Sequence, residues 1–241
     1  MRLLDLSFDE PAQNLALDEA LLNEAEAGRS GDTLRFWESP VPFVVLGLTQ
    51  RLSEEVHEDA CASDGVPILR RASGGGCVLQ GRGCLNFALV LSQLGHPDLG
   101  SIRASNRHIL NKVCAALKSA GLDARFEGLS DLAIEGRKIS GSAQRRRKRY
   151  LLHHGTLLYD ADLALLPKYL KEPIKQPRYR ADRKHEQFVR NLPCSPKILK
   201  EGLALSFGAG SRPSEITQDE QFQLDTLVAK KYQLDEWTRR R

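Results

Sequence analysis

Three short segments carry residue types that could do chemistry. The first runs Arg70-Arg71-Ala72-Ser73-Gly74-Gly75-Gly76-Cys77-Val78, followed by Gly81, Gly83 and Asn86. Successive glycines let backbone N–H groups approach an anion, and adjacent guanidinium groups suit a phosphate or carboxylate. No Gly-Lys-Ser/Thr follows, so this is not a P-loop. A Rossmann turn would open a helix, whereas Cys84–Val90 is strand-like. The segment reads either as a ligand cradle or as a hairpin end.

The second segment is Ser130–Gln144, SDLAIEGRKISGSAQ. Lys138 is followed by Ser140, Gly141, Ser142 and Ala143, small residues that leave room for a ligand. Lysine is a compact cation able to approach a phosphate or a polarised carbonyl. By periodicity alone it also fits a solvated hairpin edge. The third is His153-His154-Gly155-Thr156-Leu157-Leu158. Vicinal histidines on a strand point to opposite faces, so they do not easily share one metal.

Such groups need a frame. Asp9-Glu10-Pro11 opens a helix with a capping Asp, acids at the positive dipole end and a first-turn proline. Leu17, Ala20, Leu21 and Ala25 give that helix one apolar face. Thr33–Trp37, Phe43–Leu46, Val66–Leu69 and Leu85–Leu91 are short runs bounded by Pro, Gly or Ser, predicted as strands. A helix over Ser105–Ala120 stops at Gly121. Further strands follow at Ala124–Phe126, Leu132–Ile134, Lys138–Ser140 and Leu151–Leu158, with a tight turn at Glu135-Gly136. Asp162–Leu170 and Ile198–Phe207 read as helices, and Thr217-x-x-Glu220 spells a capping box opening a last helix to about Tyr232. This order does not alternate strand and helix. It implies an α+β fold in one domain, 1–241, with a central mixed, mainly antiparallel sheet flanked by helices.

With 241 residues, 41% of them hydrophobic, the chain can bury a core without disulfides. No apolar run approaches the roughly 18 residues of a membrane span. The opening MRLLDLSFDE has three acids and no apolar h-region, so no secretory signal is expected. Five cysteines without a CxxC pair point to a reducing cytoplasm. A net charge of +4 is too mild to imply nucleic acid. Arg145–Arg149 (RRRKR) and Arg239–Arg241 are either a solvated loop and a frayed tail or a positive rim for acidic partners.

Together RRASGGGCV, SDLAIEGRKISGSAQ and HHGTLL, in this order, resemble the lipoate–protein ligase family within the biotin/lipoate ligase catalytic-domain group. NLALDEALL, RFWESPVPFVVLG and LVAKKYQLDEW extend the resemblance over nearly the whole chain. It implies a fold like the catalytic domains of biotin ligases and class II tRNA synthetases. It also implies a reaction: lipoate attacks the α-phosphate of Mg-ATP, and the acyl-adenylate is passed to a lysine of an acceptor lipoyl domain. Acceptors would be 2-oxoacid dehydrogenase E2 subunits or the glycine cleavage H protein. The resemblance makes Lys138 the essential lysine, stabilising charge in both half-reactions. It makes Arg71, Gly74, Gly75, Gly76, Cys77, Val78, Leu79, Asn86, Ser140, Gly141, His154, Gly155 and Thr156 binding residues for ATP and lipoate. Asp131 would serve Mg²⁺ or the adenylate, and Val78 and Leu157 would line an acyl tunnel.

Three departures qualify that reading. The chain stops after the catalytic region, without the accessory domain of larger members, so unaided activation, a separate accessory subunit or a preformed acyl donor are all open. VLQGRGCLNFA lacks a His-Asp pair that some members carry, and GLSD replaces the ligases' GRND. The rival from the same superfamily is an octanoyltransferase or lipoyl amidotransferase that forms a cysteine thioester without ATP. Its nucleophile would sit in the loop Phe126–Ser130, which has no cysteine, or at a later Pro-Cys-Gly turn, echoed by Leu192-Pro193-Cys194-Ser195. A non-catalytic binding module with a basic docking face is the reading from another class. Pro173–Leu192 is expected to cap the site or face the acceptor.

Overall fold

Leu85, Phe87, Leu89 and Leu91 alternate with Asn86, Ala88 and Val90, and this period of two sorts one strand onto two buried faces. In the computed structural model, which describes residues 1–241, that strand lies near the centre of a seven-stranded sheet. The chain runs β1 (Arg2–Asp5), α1 (Pro11–Glu26), β2 (Thr33–Trp37), β3 (Phe43–Leu46), α2 (Leu52–Glu55) and α3 (Glu58–Asp64). It continues with β4 (Ile68–Arg70), β5 (Val78–Gln80), β6 (Cys84–Ser92), α4 (Ile102–Ser119), β7 (Arg125–Glu127) and β8 (Asp131–Ile134). Then come β9 (Arg137–Arg146), β10 (Tyr150–Leu158), α5 (Leu166–Tyr169), α6 (His185–Phe188), α7 (Pro196–Phe207), α8 (Gln218–Leu227) and α9 (Asp235–Thr238).

The large sheet has the order β1-β2-β6-β10-β9-β8-β7, antiparallel except for the β1–β2 pair. The expected α+β class with a mainly antiparallel sheet is what the chain forms. One face packs Leu85, Phe87, Leu89, Leu151 and Leu157 against Ile109, Val113, Leu199 and Leu203 of α4 and α7. The other packs Ala88, Val90 and Leu152 against Leu17, Leu21, Leu224 and Tyr232, from α1 to just beyond α8. A fully buried leucine contributes about 2 kcal/mol, so both layers matter to stability. Beside the expected central sheet, β4-β3-β5 form a second, three-stranded sheet that carries the glycine segment between β4 and β5.

Several expectations change in detail. Asp9 does not cap α1; Glu10 is the N-cap without a side-chain bond, and Asn14 fixes the entry by bonding both Phe8 N–H and Phe8 O. That helix is buried on more than one face because α8 covers its far side, and its buried Asp18, Glu19 and Glu24 pair with Arg35, Lys231 and Arg29. The capping box at Thr217 and Glu220 forms as spelled. Glu135 (φ 51°) and Gly136 (φ 70°) make the expected tight β8–β9 turn with two left-handed residues. Strand β9 runs far beyond Ser140 because β10 pairs with it along its length. Arg145 therefore donates to Ala72 O and Arg146 to Leu99 O, leaving only Arg147–Arg149 as an exposed turn. The Asp162–Leu170 helix breaks into a 3₁₀ turn and four-residue α5. No helix is long and apolar enough to cross a membrane.

Candidate functional site

Between the small sheet and the β8–β9–β10 edge of the large one lies a cleft of about 600 Å³. Gly76, Val78, Asp131, Lys138, Gly141 and Thr156 line it, and its apolar wall adds Leu158, Leu166, Leu170 and Phe188. A smaller cavity of about 130 Å³ shares Gly76, Val78, Lys138 and Gly141 and reaches inward to Asp18, Trp37 and His154. The expected tunnel residue Val78 is on this wall. Leu157 is not: period-two alternation sends it into the core and brings Leu158 to the cleft.

Lys138 reaches the cleft through a bulge. Regular alternation would put Lys138 and Gly141 on opposite faces of β9. A register shift opposite Leu132/Ala133 inserts one extra residue; Ile139 enters the core, and Lys138 emerges beside Gly141. Its Nζ donates to Asp131 Oδ1 at 2.8 Å, and Asp131 Oδ2 accepts from Tyr179 Oη at 2.8 Å. A Cβ on Gly141 would lie 3.0 Å from Nζ, so the glycine clears the lysine's path. The second segment is therefore built around a positioned cation, not a solvated edge.

The glycine segment is a rigid turn rather than a loose cradle. Gly75 adopts φ 88°, a left-handed conformation that favours glycine, and a Cβ on Gly47 would overlap its carbonyl. Arg71 is buried and donates to Gly74 O at 2.6 Å, Gly76 O at 2.8 Å and Ser73 Oγ at 3.1 Å. Burial holds its pKa down at about 10, still cationic at neutral pH. Arg70, fully buried, donates to Thr238 O, Gly47 O and Gln50 O. Both guanidinium groups expected at a phosphate are thus spent on backbone carbonyls, so these donors do not fit the phosphates of ATP. Trp237 Nε1 donates back to Arg70 O, and in the tail read as frayed or as a positive rim, Arg239–Arg241, Arg239 pairs with Glu58 at 2.9 Å.

The third segment behaves as the alternation demands. His153 points away from the cleft, stacks on Phe87 and leaves both ring nitrogens unpartnered; burial drops its pKa to about 3, so it is neutral. His154 faces the inner cavity, with Nε2 2.5 Å from Ser73 Oγ and Nδ1 3.6 Å from Asp18 Oδ2. Thr156, Asn86 and Gln80 close a ring: Gln80 Nε2 donates to Thr156 Oγ1, Thr156 Oγ1 to Asn86 Oδ1, and Asn86 Nδ2 to Gln80 Oε1. Asn86, 4% exposed, lines the inner cavity and reaches the larger cleft through Thr156 and Gln80. Gly155 leaves space for Ser142 Oγ and the Phe87 ring. Leu79, Ser140 and Cys77 also lie on the cleft wall.

Two features were not read from the sequence. Asp18 and Trp37 line the inner cavity, and Tyr179 reaches the lysine's carboxylate partner. Pro173–Leu192 is expected to cap the site or face the acceptor; its Pro173, Ile174, Pro177, Arg180, Phe188 and Val189 border the cleft. Tyr179 gave no periodic signal there. Among the cysteines, Cys77 alone lines the cleft, and burial pushes its thiol up to about 12. Cys194 lines neither cavity; it packs against the larger core, and burial raises its pKa too.

Residues 10–195 match the family model described as lipoyl protein ligase A/B catalytic domain. Five relatives named octanoyltransferase LipM match 96–100% of this chain at 27–32% identity; that of Kyrpidia tusciae is 32% identical, covering 100% of this chain and 98% of its own. Among solved structures, the bi-partite lipoate protein ligase of Thermoplasma acidophilum, described with its E2 lipoyl domain, aligns at TM-score 0.84 and 29% identity over 99% of this chain and 95% of its own. A lipoate-protein ligase A bound with ATP aligns at TM-score 0.86 and 28% identity over 99% and 98%. The whole-length octanoyltransferase relatives overturn the expected ATP-dependent lipoate ligase reaction. The engaged guanidinium groups of Arg70 and Arg71 agree with that correction.

Proposed function

This chain belongs to the lipoyl protein ligase A/B catalytic domain family, and within it we propose that the protein is an octanoyltransferase. It takes a medium-chain acyl thioester from a carrier and passes the acyl group to the ε-amine of one lysine on a lipoyl-domain acceptor, without ATP. The observation that carries the reading is Lys138 Nζ, braced by Asp131 at 2.8 Å, where the apolar wall of Val78, Leu158 and Phe188 meets the polar end of the cleft. An octanoyl chain packs along that wall, and its carbonyl lies at the lysine. Relatives named octanoyltransferase along the whole chain support the donor. The Thermoplasma acidophilum ligase described with its E2 lipoyl domain supports the acceptor class, which includes 2-oxoacid dehydrogenase E2 subunits and glycine cleavage H proteins.

The transfer balances without a protein nucleophile. The acceptor amine attacks the thioester carbonyl, the C–N bond forms, the C–S bond breaks, and the leaving thiolate takes the proton lost by the amine. Lys138 donates to the oxygen that becomes negative in the tetrahedral intermediate, a role worth about 10²–10³ in rate for one donor. Direct attack is supported by the thiols: Cys77 is suppressed by burial and Cys194 lies off the cleft. Residues 1–241 act as one catalytic domain in this proposal. A reducing cytoplasm suits its five unpaired cysteines.

Intact-mass spectrometry of an apo lipoyl domain tests the reading. One tube receives the protein with octanoyl-carrier protein and no ATP, the other free lipoate with Mg-ATP. Acylation in the first is expected; acylation only in the second refutes the transferase. Cys77→Ser and Cys194→Ser should each keep the rate within about threefold, and loss of transfer in either would replace direct attack by an acyl-enzyme.

A further inference from the structure

Lys138 is gripped at both ends by one segment outside the sheet. At its main chain, Lys138 O accepts from Arg190 N–H at 2.9 Å, and Lys138 forms a single parallel bridge to Val189. At its side chain, the ammonium rests on Asp131 Oδ1, and the other oxygen of that carboxylate accepts from Tyr179 Oη at 2.8 Å. Tyr179 belongs to the 3₁₀ turn Arg178–Arg180 in the stretch that borders the cleft. No segment motif pointed to it.

The turn is built to hold the tyrosine still. Ala181 (φ 50°) and Asp182 (φ 55°) are consecutive non-glycine residues in the left-handed region, a costly conformation that persists only where its surroundings enforce it. The enforcement is visible. Arg183 donates to Tyr179 O at 2.7 Å and to Gly136 O at 2.9 Å, tying the turn to the tip of the hairpin that carries Asp131 and Lys138. Arg180 and Arg183 also exchange bonds from each Nε to the other's carbonyl at 2.9 Å. The Tyr179 ring packs on Phe188 at 5.1 Å, and Phe188 is part of the cleft wall. Burial and the neighbouring Asp131 push the phenol well above its ordinary pKa, so it stays a donor.

We propose that Tyr179 is a positioning residue for acyl transfer: by donating to Asp131 it divides that carboxylate's charge, so Lys138 stays aimed into the cleft yet free to donate to the thioester carbonyl. This rests on the proposed role of Lys138. Without the hydroxyl, Asp131 turns its full charge on the ammonium, and the lysine is held back from the substrate. Tyr179 acts through Asp131 and touches no reacting atom in this account.

Tyr179→Phe keeps the ring and its packing on Phe188, so the fold should hold, with the melting temperature lowered by only a few degrees for the lost hydrogen bond to Asp131. In steady-state transfer from octanoyl-carrier protein to a lipoyl domain, kcat should fall about tenfold while KM for the donor moves less than about twofold. In an Asp131→Asn background the same change should alter kcat by less than about twofold, because the two residues act as one unit. A second readout needs no turnover: the rate at which a neutral acetylating reagent labels Lys138, followed by peptide mass spectrometry with exposed Lys148 as reference. That rate should drop about threefold in Tyr179→Phe, with Lys148 unchanged. Unchanged labelling of Lys138 overturns the proposal, whatever the transfer assay gives. If the native protein transfers no octanoyl group, the functional reading fails, and the labelling still decides the role of Tyr179.

Discussion

Gly141→Ala separates the stability of this protein from its activity. Gly141 has no left-handed φ, so alanine meets no backbone strain. The new methyl would sit 3.0 Å from Lys138 Nζ and 3.1 Å from Lys138 Cε, against an ordinary contact of about 3.5 Å. The far end of a lysine can yield, so the ammonium moves by about 0.5 Å and the sheet is undisturbed. A misplacement of 1 Å at a reacting centre costs about 10²-fold, so half of that predicts about tenfold in kcat, or about 1.4 kcal/mol of transition-state stabilisation. Stability should stay level or rise by up to about 0.5–1 kcal/mol, since glycine weakens a strand interior. The assay is the octanoyl-transfer rate beside a urea unfolding curve. A variant that is equally stable and equally active would refute the claim that the position of Lys138 Nζ governs the reaction. One that is slow and unfolded would refute the steric argument.

Other perturbations read the frame. Arg35 and Asp18 form a fully buried pair at 2.6 Å, and Arg35→Met strands the carboxylate; about 3–5 kcal/mol should be lost in urea unfolding. His153 is neutral with its pKa lowered by burial to about 3, whereas the unfolded imidazole titrates near about 6.5. Below that unfolded value the denatured chain takes up a proton the native state refuses, so stability falls with pH at about 1.4 kcal/mol per unit from about 6 toward 3. His153→Leu should flatten this slope in pH-dependent unfolding, and an unchanged slope would assign acid sensitivity elsewhere. Thr156→Val breaks the Gln80–Thr156–Asn86 ring and leaves a buried Asn86 oxygen unpaired; a loss of about 1–3 kcal/mol in thermal unfolding is expected.

Much of this was legible in the chain. Branched runs bounded by Gly and Pro located β2, β3, β6 and β10 closely, and Thr217 with Glu220 located the start of α8, because these signals depend on near neighbours. The motif combination identified the family, and it gathered Lys138, Asp131, Gly76 and Thr156 into one cleft. Chemistry was harder to read. Paired arginines before three glycines suggested phosphate, yet Arg70 and Arg71 are consumed by carbonyls of Thr238, Gly47, Gly74 and Gly76. Whether a guanidinium serves a ligand or the backbone depends on what folds against it, and the partner of Arg70 lies 168 residues away.

By itself the sequence determined the class of sheet, its central strands and the residue types at the site, all set by local periodicity and composition. The tertiary structure decided which way the decisive groups face. In a regular strand Lys138 and Gly141 would point to opposite sides; the bulge opposite Leu132/Ala133 sends Ile139 inward and brings both to the cleft. Likewise, Tyr179 meets Asp131 across 48 positions of chain. Such contacts come from long-range packing, where burial of a core residue outweighs local alternation, and no pattern within a short window encodes them.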